Sequence, residues 1–390
     1  MTSPSISRWP SELPAAGPVW FPAVMGTGML ATLLGRRVGE HPWLHPVAAV
    51  LVVLAWLILV GLVIGFVVHC VRHPGALKRT WTSVDVMPTW GTVAMGMMSA
   101  GAGLLTVFPQ VNHGFVVTWW ALATVLGVVT TFWFVFLIMV RPAPNPQPAW
   151  GLSVVPPMLS ATNGAILSSF AQTVFMQVSL IVVSTACFFM SFILGLLLFS
   201  LAYRNHFAVE HIPINASVSS WIPLGVVGQS AAAAQSIAIH TSSFLLSDAT
   251  RATAIIAELY GLAMLLLAVL VVAFAVFVTV RGFVGGMKFS PGWWALTFPV
   301  GTLALGMSML SDQLREHPLT MDAVAGSGAE GVAGAAPGVE MLASVAGAVG
   351  VGAMLVMCCT WTLCATSSVR AVVGIAATRN AKVQARAEAS

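Results

Sequence analysis

Side chains that could catalyse a reaction or hold a metal ion are sparse in this sequence. Asp, Glu, Lys and Arg together make up only 7% of its residues. His69 and His73 stand four residues apart, so two imidazoles on one helix face could share a metal ion, but no third ligand accompanies them. The sequence therefore predicts no catalytic residue, no metal site and no cofactor, and we do not expect an enzyme.

Ionisable side chains are also rare inside the apolar segments of the chain. Glu258, His240 and Asp312 fall near the ends of such segments. Cation pathways and proton relays in membranes usually contain a buried carboxylate. The near absence of such groups argues against cation transport and leaves anions or neutral solutes.

Hydroxyls, amides and glycines recur inside the apolar segments instead. Hydroxyl and amide groups could replace part of an anion's hydration shell, although each is individually more typical of helix packing. Thr162 and Gln235 carry this chemistry. The candidates for lining a pore are Gly26, Thr27, Gly28, Ser160, Asn163, Gln229, Ser230, Gly301 and Thr302.

The elements that carry these residues are long apolar runs. The chain is 58% hydrophobic with a mean hydropathy of +0.92, whereas a soluble domain carries roughly 25% charged residues. About 20 apolar residues cross a bilayer core. The runs predict an all-α integral membrane protein with ten spans, at residues 20–35, 46–68, 87–107, 115–140, 151–171, 174–202, 219–240, 255–280, 292–311 and 341–368.

These spans imply a simple domain organisation. Residues 20–369 form one transmembrane transport domain, preceded by a cytoplasmic segment, 1–19, and followed by a cytoplasmic tail, 370–390. The Gly- and Ala-rich residues 312–340 are predicted to form a flexible extracytoplasmic loop within the domain.

Prolines mark every second span. Each odd-numbered span has one in its first half, and the even-numbered spans have none apart from Pro46, the first residue of the second span. Proline removes a backbone donor and bends a helix, which favours a position inside a bundle rather than against lipid. We therefore predict five helical hairpins in a quasi-five-fold arrangement, with the odd helices lining a central pore. The predicted helix kinks are at Pro22, Pro88, Pro156, Pro223 and Pro299.

Basic residues indicate the orientation in the membrane. With ten spans, all of the 16 Lys and Arg residues except Arg36, Arg37, Arg251 and Arg315 fall on the side of both termini. The positive-inside rule makes that side cytoplasmic. The odd helices then point their N-termini, which carry partial positive charge, at the cytoplasmic mouth, where they would concentrate anions.

Three segments carry a family resemblance that covers nearly the whole chain. Trp20–Gly28 (WFPAVMGTG) resembles the opening of the tellurite-resistance/dicarboxylate transporter family, which includes slow-type anion channels, malic acid transporters and sulfite efflux pumps. Trp293–Gly301 (WWALTFPVG) resembles its ninth helix. Trp221–Ser230 (WIPLGVVGQS) is similar to its seventh, although Val226 departs from the Gly-Pro expected nearby.

The resemblance implies ten helices in five hairpins around a pore lined by the odd helices. It implies a homotrimer in the cell membrane, a small anion such as malate or sulfite as substrate, and a phenylalanine gate on the ninth helix, which Phe298 matches. Membrane lipid is the other expected partner, and nucleic acid is not expected.

Three alternatives remain at this stage. A haem or quinone redox protein would need histidines paired between helices, but all nine histidines lie in loops or near span ends. A tellurite-resistance permease for another anion and a structural subunit without a transport path are the others. The sequence does not separate a channel from a proton-coupled carrier.

Overall fold

The computed structural model describes residues 13–142, 144–316 and 337–388. These residues form helices and no strands, which confirms the all-α prediction. Residues 1–12 of the predicted N-terminal segment and residues 317–336 of the predicted loop lie outside the described part.

The helices alternate between short and long along the chain. The short helices are α1 (Pro22–Arg36), α4 (Trp90–Val107), α6 (Pro156–Ser168), α8 (Ile222–Thr241) and α10 (Phe298–Glu316). Each is followed by a long helix: α2 (Leu44–Arg72), α5 (His113–Val140), α7 (Val174–Ala208), α9 (Ser247–Val284) or α11 (Pro337–Glu388). One further short helix, α3 (Ala76–Thr82), connects α2 to the second pair.

Burial separates the two sets of helices. The most apolar stretches of the segments containing α1, α4, α8 and α10 are 78, 72, 83 and 89% buried, against 28–39% for the long helices. In α6, all residues except Asn163 and Ile166 are buried. Small residues let the short helices approach one another closely, while the Leu, Val and Phe side chains of the long helices face outward, as lipid contact requires.

The short helices form a closed ring of five. Each packs against the next, from α1 through α4, α6, α8 and α10, and α10 returns to α1. Each long helix packs outside the ring against its own short partner and the following one, and α11 completes the outer layer by contacting both α10 and α1. The two layers therefore surround a common axis.

A turn of 3-10 helix lies before each short helix. These segments are Pro18–Trp20, Met87–Thr89, Pro148–Ser153, Ile214–Trp221 and Pro291–Leu296. The five prolines predicted as kinks lie at the change of helix type: Pro88 within a 3-10 turn, Pro22 and Pro156 as first residues and Pro223 and Pro299 as second residues of a short helix. Proline is well tolerated there, because the first N–H groups of a helix have no intrahelical acceptor. The prolines thus lie at the junctions between a 3-10 turn and an α-helix.

The predicted boundaries need two corrections near the C-terminal end. Helix α10 continues to Glu316, so the predicted loop does not begin at Asp312. Helix α11 spans Pro337–Glu388, so it includes the end of that loop and most of the predicted tail. The length of the apolar runs did not reveal these extensions, because the added residues lie beyond those runs.

The number of spans stays a prediction. Nine segments of the described chain are long and apolar enough to cross a membrane. Helix α6 is the predicted span outside this set, because it has only 13 residues. The chain is nevertheless a multi-pass membrane protein by its helices and composition.

Glycines hold neighbouring ring helices at close distance. A Cβ atom on Gly28 would lie 2.6 Å from the carbonyl carbon of Ser99, so α1 and α4 cross at this residue. A Cβ on Gly228 would lie 2.3 Å from the backbone nitrogen of Leu303 in α10. Since the obstacle in both cases is backbone, these contacts admit only glycine without movement of a helix.

Candidate functional site

A cavity lies at the N-terminal ends of the ring helices. Its volume is about 210 Å³, and all five short helices or their 3-10 turns contribute to its wall, which places it on the ring axis. We call it the N-terminal cavity. Its lining is mainly apolar, with Met25, Val155, Ile222, Trp294 and Phe298 among the larger side chains.

A second cavity, of about 60 Å³, lies between the C-terminal halves of α1, α4 and α6. We call it the C-terminal cavity. Leu305 of α10 and the indole rings of Trp119 and Trp120 from α5 complete its wall. It contains more polar groups than the N-terminal cavity, including Ser99 and Arg36.

The two cavities share helix faces. Residues three or four positions apart lie on one face of a helix. The face of α1 carries Pro22 and Met25 at the N-terminal cavity and Met29, Thr32 and Arg36 at the C-terminal cavity. The face of α4 carries Thr92 and Met95, then Ser99, Ala102 and Thr106. The two cavities therefore share the α1 and α4 faces, and the α5 residues in its wall place the C-terminal cavity toward the outer layer.

Packed apolar side chains separate the two cavities. Phe298 is the first residue of α10, lines the N-terminal cavity and is 2% exposed. Leu305 lines the C-terminal cavity seven residues later on the same helix. Met29 and Met98, at the near side of the C-terminal cavity, are also buried. The closed stretch is thus built from apolar side chains.

Two of the predicted pore-lining residues lie at or next to the C-terminal cavity. Asn163 lines it, and its Nδ2 donates to the Met98 carbonyl oxygen at 3.3 Å. Gln229 is fully buried, and its Nε2 donates to the hydroxyl of Thr162, a lining residue, at 2.6 Å.

The other predicted hydroxyls contact neighbouring helices or their own backbone. Thr27 accepts a hydrogen bond from Trp361 Nε1 of α11 at 3.0 Å, and Ser230 accepts one from the Tyr260 hydroxyl of α9 at 2.8 Å. Ser160 accepts from Thr124 of α5 at 3.1 Å, and Thr302 donates to the Pro299 carbonyl oxygen at 2.7 Å. None of these four lines either described cavity.

The three predicted pore-lining glycines are sites of close packing. A Cβ on Gly26 would lie 2.4 Å from Thr297 Oγ1, and one on Gly301 would lie 2.5 Å from Met29 Cγ and from Met357 Sδ. Gly28 packs against α4, as described above. Their contacts match the helix-packing interpretation of these residues.

Ser99 and Arg36 also line the C-terminal cavity, and neither was among the predicted pore-lining residues. Ser99 is 2% exposed, and its Oγ has no hydrogen-bond partner among the described residues. Arg36 ends α1, and its Nη2 lies 3.3 Å from Asp312 Oδ2 of α10. Ser99 lies seven residues after Thr92 in α4, so the two share one helix face. The sequence alone did not show that this face lines the cavities.

The position of Glu258 requires a correction. The sequence placed it near the end of a span because the apolar run begins at Ile255. Helix α9 begins at Ser247, so Glu258 lies roughly three turns into it and is fully buried. The sequence-based argument against cation transport assumed that the apolar segments contain almost no buried carboxylate. Glu258 is an exception to that assumption.

His69 and His73 lie together at the end of α2, with ring centroids 4.5 Å apart. Within the described chain, no group of three His, Cys, Asp or Glu side chains is placed to hold a metal ion.

Comparison with known proteins gives a consistent result. Residues 16–369 match the SLAC1 family, described as voltage-dependent anion channels. The sulfite efflux pump SSU1 of Trichophyton rubrum is 23% identical over 310 residues, which cover 76% of this chain and 82% of the pump. The SSU1 pump of Candida albicans is 22% identical over 345 residues, covering 80% of this chain and 69% of the pump.

The family match spans most of the sequence and includes all the ring helices. It supports anion transport, and it favours a transporter over an enzyme. It also agrees with the resemblance seen in the three segments that begin the first, seventh and ninth spans. The chain belongs to the SLAC1 family of voltage-dependent anion channels.

Proposed function

We propose that this protein moves small anions along the axis of the five-helix ring, with sulfite or a C4-dicarboxylate such as malate as substrate and Phe298 as the gate. One observation carries the proposal. The faces of α1 and α4 that line the N-terminal cavity also line the C-terminal cavity, which supports a path through the ring that is closed between them.

The electrostatics of the ring favour anions over cations. Five helices begin around the N-terminal cavity, and each N-terminus carries roughly half a positive elementary charge. None of the described residues lining that cavity is Asp or Glu. The C-terminal cavity has one charged residue in its described wall, Arg36, which is cationic.

The relatives favour sulfite as the first substrate to test. The curated relatives that match over most of this chain are sulfite efflux pumps, although their identity to it is only 22–23%. Malate is supported by the resemblance to a family that includes malic acid transporters. We also propose a homotrimer in the cell membrane with both termini in the cytoplasm.

The decisive test is flux through purified protein in liposomes. We expect sulfite to cross faster than in protein-free liposomes, and sodium to cross at the protein-free rate. Sulfite and malate measured side by side decide between the two substrates. Sodium flux equal to anion flux would contradict an anion-selective path.

A proton-coupled carrier is a second candidate, favoured by Glu258. A fully buried carboxylate inside a candidate span is a typical proton-relay group. In a coupled carrier, an imposed pH gradient should drive accumulation of anion. Glu258→Gln should abolish that accumulation and leave downhill flux in place, whereas Glu340→Gln, at an exposed carboxylate of α11, should change neither. Absence of accumulation by the unmodified protein would identify a channel.

A further inference from the structure

The C-terminal cavity contains a hydroxyl whose hydrogen bonding is incomplete. Ser99 Oγ lies in its wall and has no partner among the described residues, although the side chain is 2% exposed. The other hydroxyls of the α1 and α4 wall bond their own helices, Thr32 to Gly28 O at 3.0 Å and Thr106 to Ala102 O at 2.8 Å. Burying a hydroxyl without a partner is unfavourable, so Ser99 is free to donate to a water or a ligand in the cavity.

Asn163 supplies a second donor in the same wall. One hydrogen of its Nδ2 serves the 3.3 Å bond to Met98 O, and a primary amide nitrogen carries two. The remaining hydrogen is available to a ligand in the cavity. Ser99 of α4 and Asn163 of α6 thus supply two neutral donors in the wall of the C-terminal cavity.

Arg36 supplies the charge that an anion needs at this end of the ring. The C-terminal ends of helices carry partial negative charge, which repels an anion. Arg36 lies in the last turn of α1 and lines the cavity, and its side chain is 34% exposed. Its only described ion pair, with Asp312, has a single 3.3 Å contact rather than a two-point fork.

We propose that the C-terminal cavity is a binding site for a small inorganic oxyanion, with Ser99 and Asn163 as hydrogen-bond donors and Arg36 as the cation. Asp312 competes with the bound anion for Arg36. One water occupies about 10–15 Å³ of cavity volume. The 60 Å³ of the C-terminal cavity therefore fits sulfite better than a C4-dicarboxylate, which is about twice as large. This inference rests on the proposed anion transport and names the site that selects the substrate.

The charges of Arg36 and Asp312 give a test in which two variants should shift the apparent sulfite affinity in opposite directions. The measured quantity is the sulfite concentration that gives half-maximal flux in proteoliposomes. Arg36→Gln should raise it and Asp312→Asn should lower it, because the second change frees Arg36 for the anion. If the pair only joined α1 to α10, both changes would shift it in the same direction. Arg37→Gln is the matched control, since Arg37 pairs with Glu40 and does not line the cavity.

The hydroxyl has a matched control as well. Ser99→Ala should raise the half-saturating sulfite concentration about tenfold, as expected for the loss of one hydrogen bond to a charged group. Ser168→Ala should leave it unchanged, because Ser168 is equally buried but bonds Ala165 O at 2.6 Å. An unchanged value for Ser99→Ala would overturn the assignment of this donor.

A binding measurement separates this site from transport itself. Sulfite should raise the melting temperature of the purified protein in detergent at constant ionic strength, since a ligand that binds the folded state stabilises it. The Ser99→Ala variant should lose most of that rise. Protein that moves no anion but still shows this pattern would refute the proposed function and retain the site. Transport without any sulfite-dependent stabilisation would refute the site and retain the function.

Discussion

At the scale of single residues, Phe298 is the side chain that we propose as the gate. Its ring is buried, lines the N-terminal cavity and precedes the packed stretch that separates the two cavities. It also follows directly on the 3-10 turn Pro291–Leu296 and Thr297, where the backbone changes helix type.

We expect Phe298→Ala to raise anion flux several-fold in proteoliposomes, because replacing the ring by a methyl group opens space between the two cavities. Phe134→Ala is the matched control. Phe134 is fully buried but packs against Trp150 on the outer side of the ring and lines neither described cavity. If Phe298→Ala destabilises the protein as the control does and leaves flux unchanged, Phe298 is a packing residue.

At the scale of helices, the sequence predicts which helices exist and their order along the chain. It does not predict which face of each ring helix points toward the axis. Apolar run length and proline position located the short and long helices to within several residues, except at the C-terminal end of α11 and the N-terminal end of α9, which extend beyond the apolar runs. The direction of a side chain depends on the rotation of each helix about its own axis, and small residues on all sides of a ring helix leave that rotation undetermined. Thr27 and Ser230 were therefore predicted toward the pore, yet they bond Trp361 and Tyr260 of the outer layer.

Packing of α8 against α10 gives a prediction at this scale. Gly228→Ala should lower the melting temperature and reduce flux, because the added methyl would lie 2.3 Å from Leu303 N and would force the helices apart. Overpacking of this kind costs roughly 1–3 kcal/mol. Gly61→Ala in α2 is the control, since nothing lies within 4 Å of its Cβ position. Equal melting temperatures for the two variants would contradict the close crossing.

At the scale of the whole molecule, the charge asymmetry predicts the topology. A reporter active only in the cytosol should work when fused after Ser390 or inserted between α2 and α3, at His73–Gly75. It should be silent when inserted between Gly326 and Gly338. Activity at all three positions would show that the number of spans is wrong. If α6 alone did not span the membrane, the reporter would be active between Gly326 and Gly338 and silent after Ser390, because every segment after α6 would change sides.

The whole path also makes a prediction about the charge of the transported ion. The N-terminal cavity offers apolar walls and helix N-termini, and the described C-terminal cavity contains one cationic side chain, Arg36, already paired with Asp312. Removing an ion from water costs far more for a dianion than for a monoanion. A path with so little fixed positive charge should therefore pass hydrogen sulfite and hydrogen malate in preference to their dianions.

Flux of sulfite and of malate should accordingly rise as the pH falls toward the second pKa of each substrate, when the pH is equal on both sides and the membrane potential is zero. Nitrate is the control, because its charge does not change over this range. A flat nitrate flux through Phe298→Ala assigns the pH dependence to the substrate, whereas a parallel rise would assign it to titration of the protein. If flux followed the dianion concentration instead, the path would contain a stronger cationic site than Arg36 provides, and the single-cation account of the C-terminal cavity would be wrong.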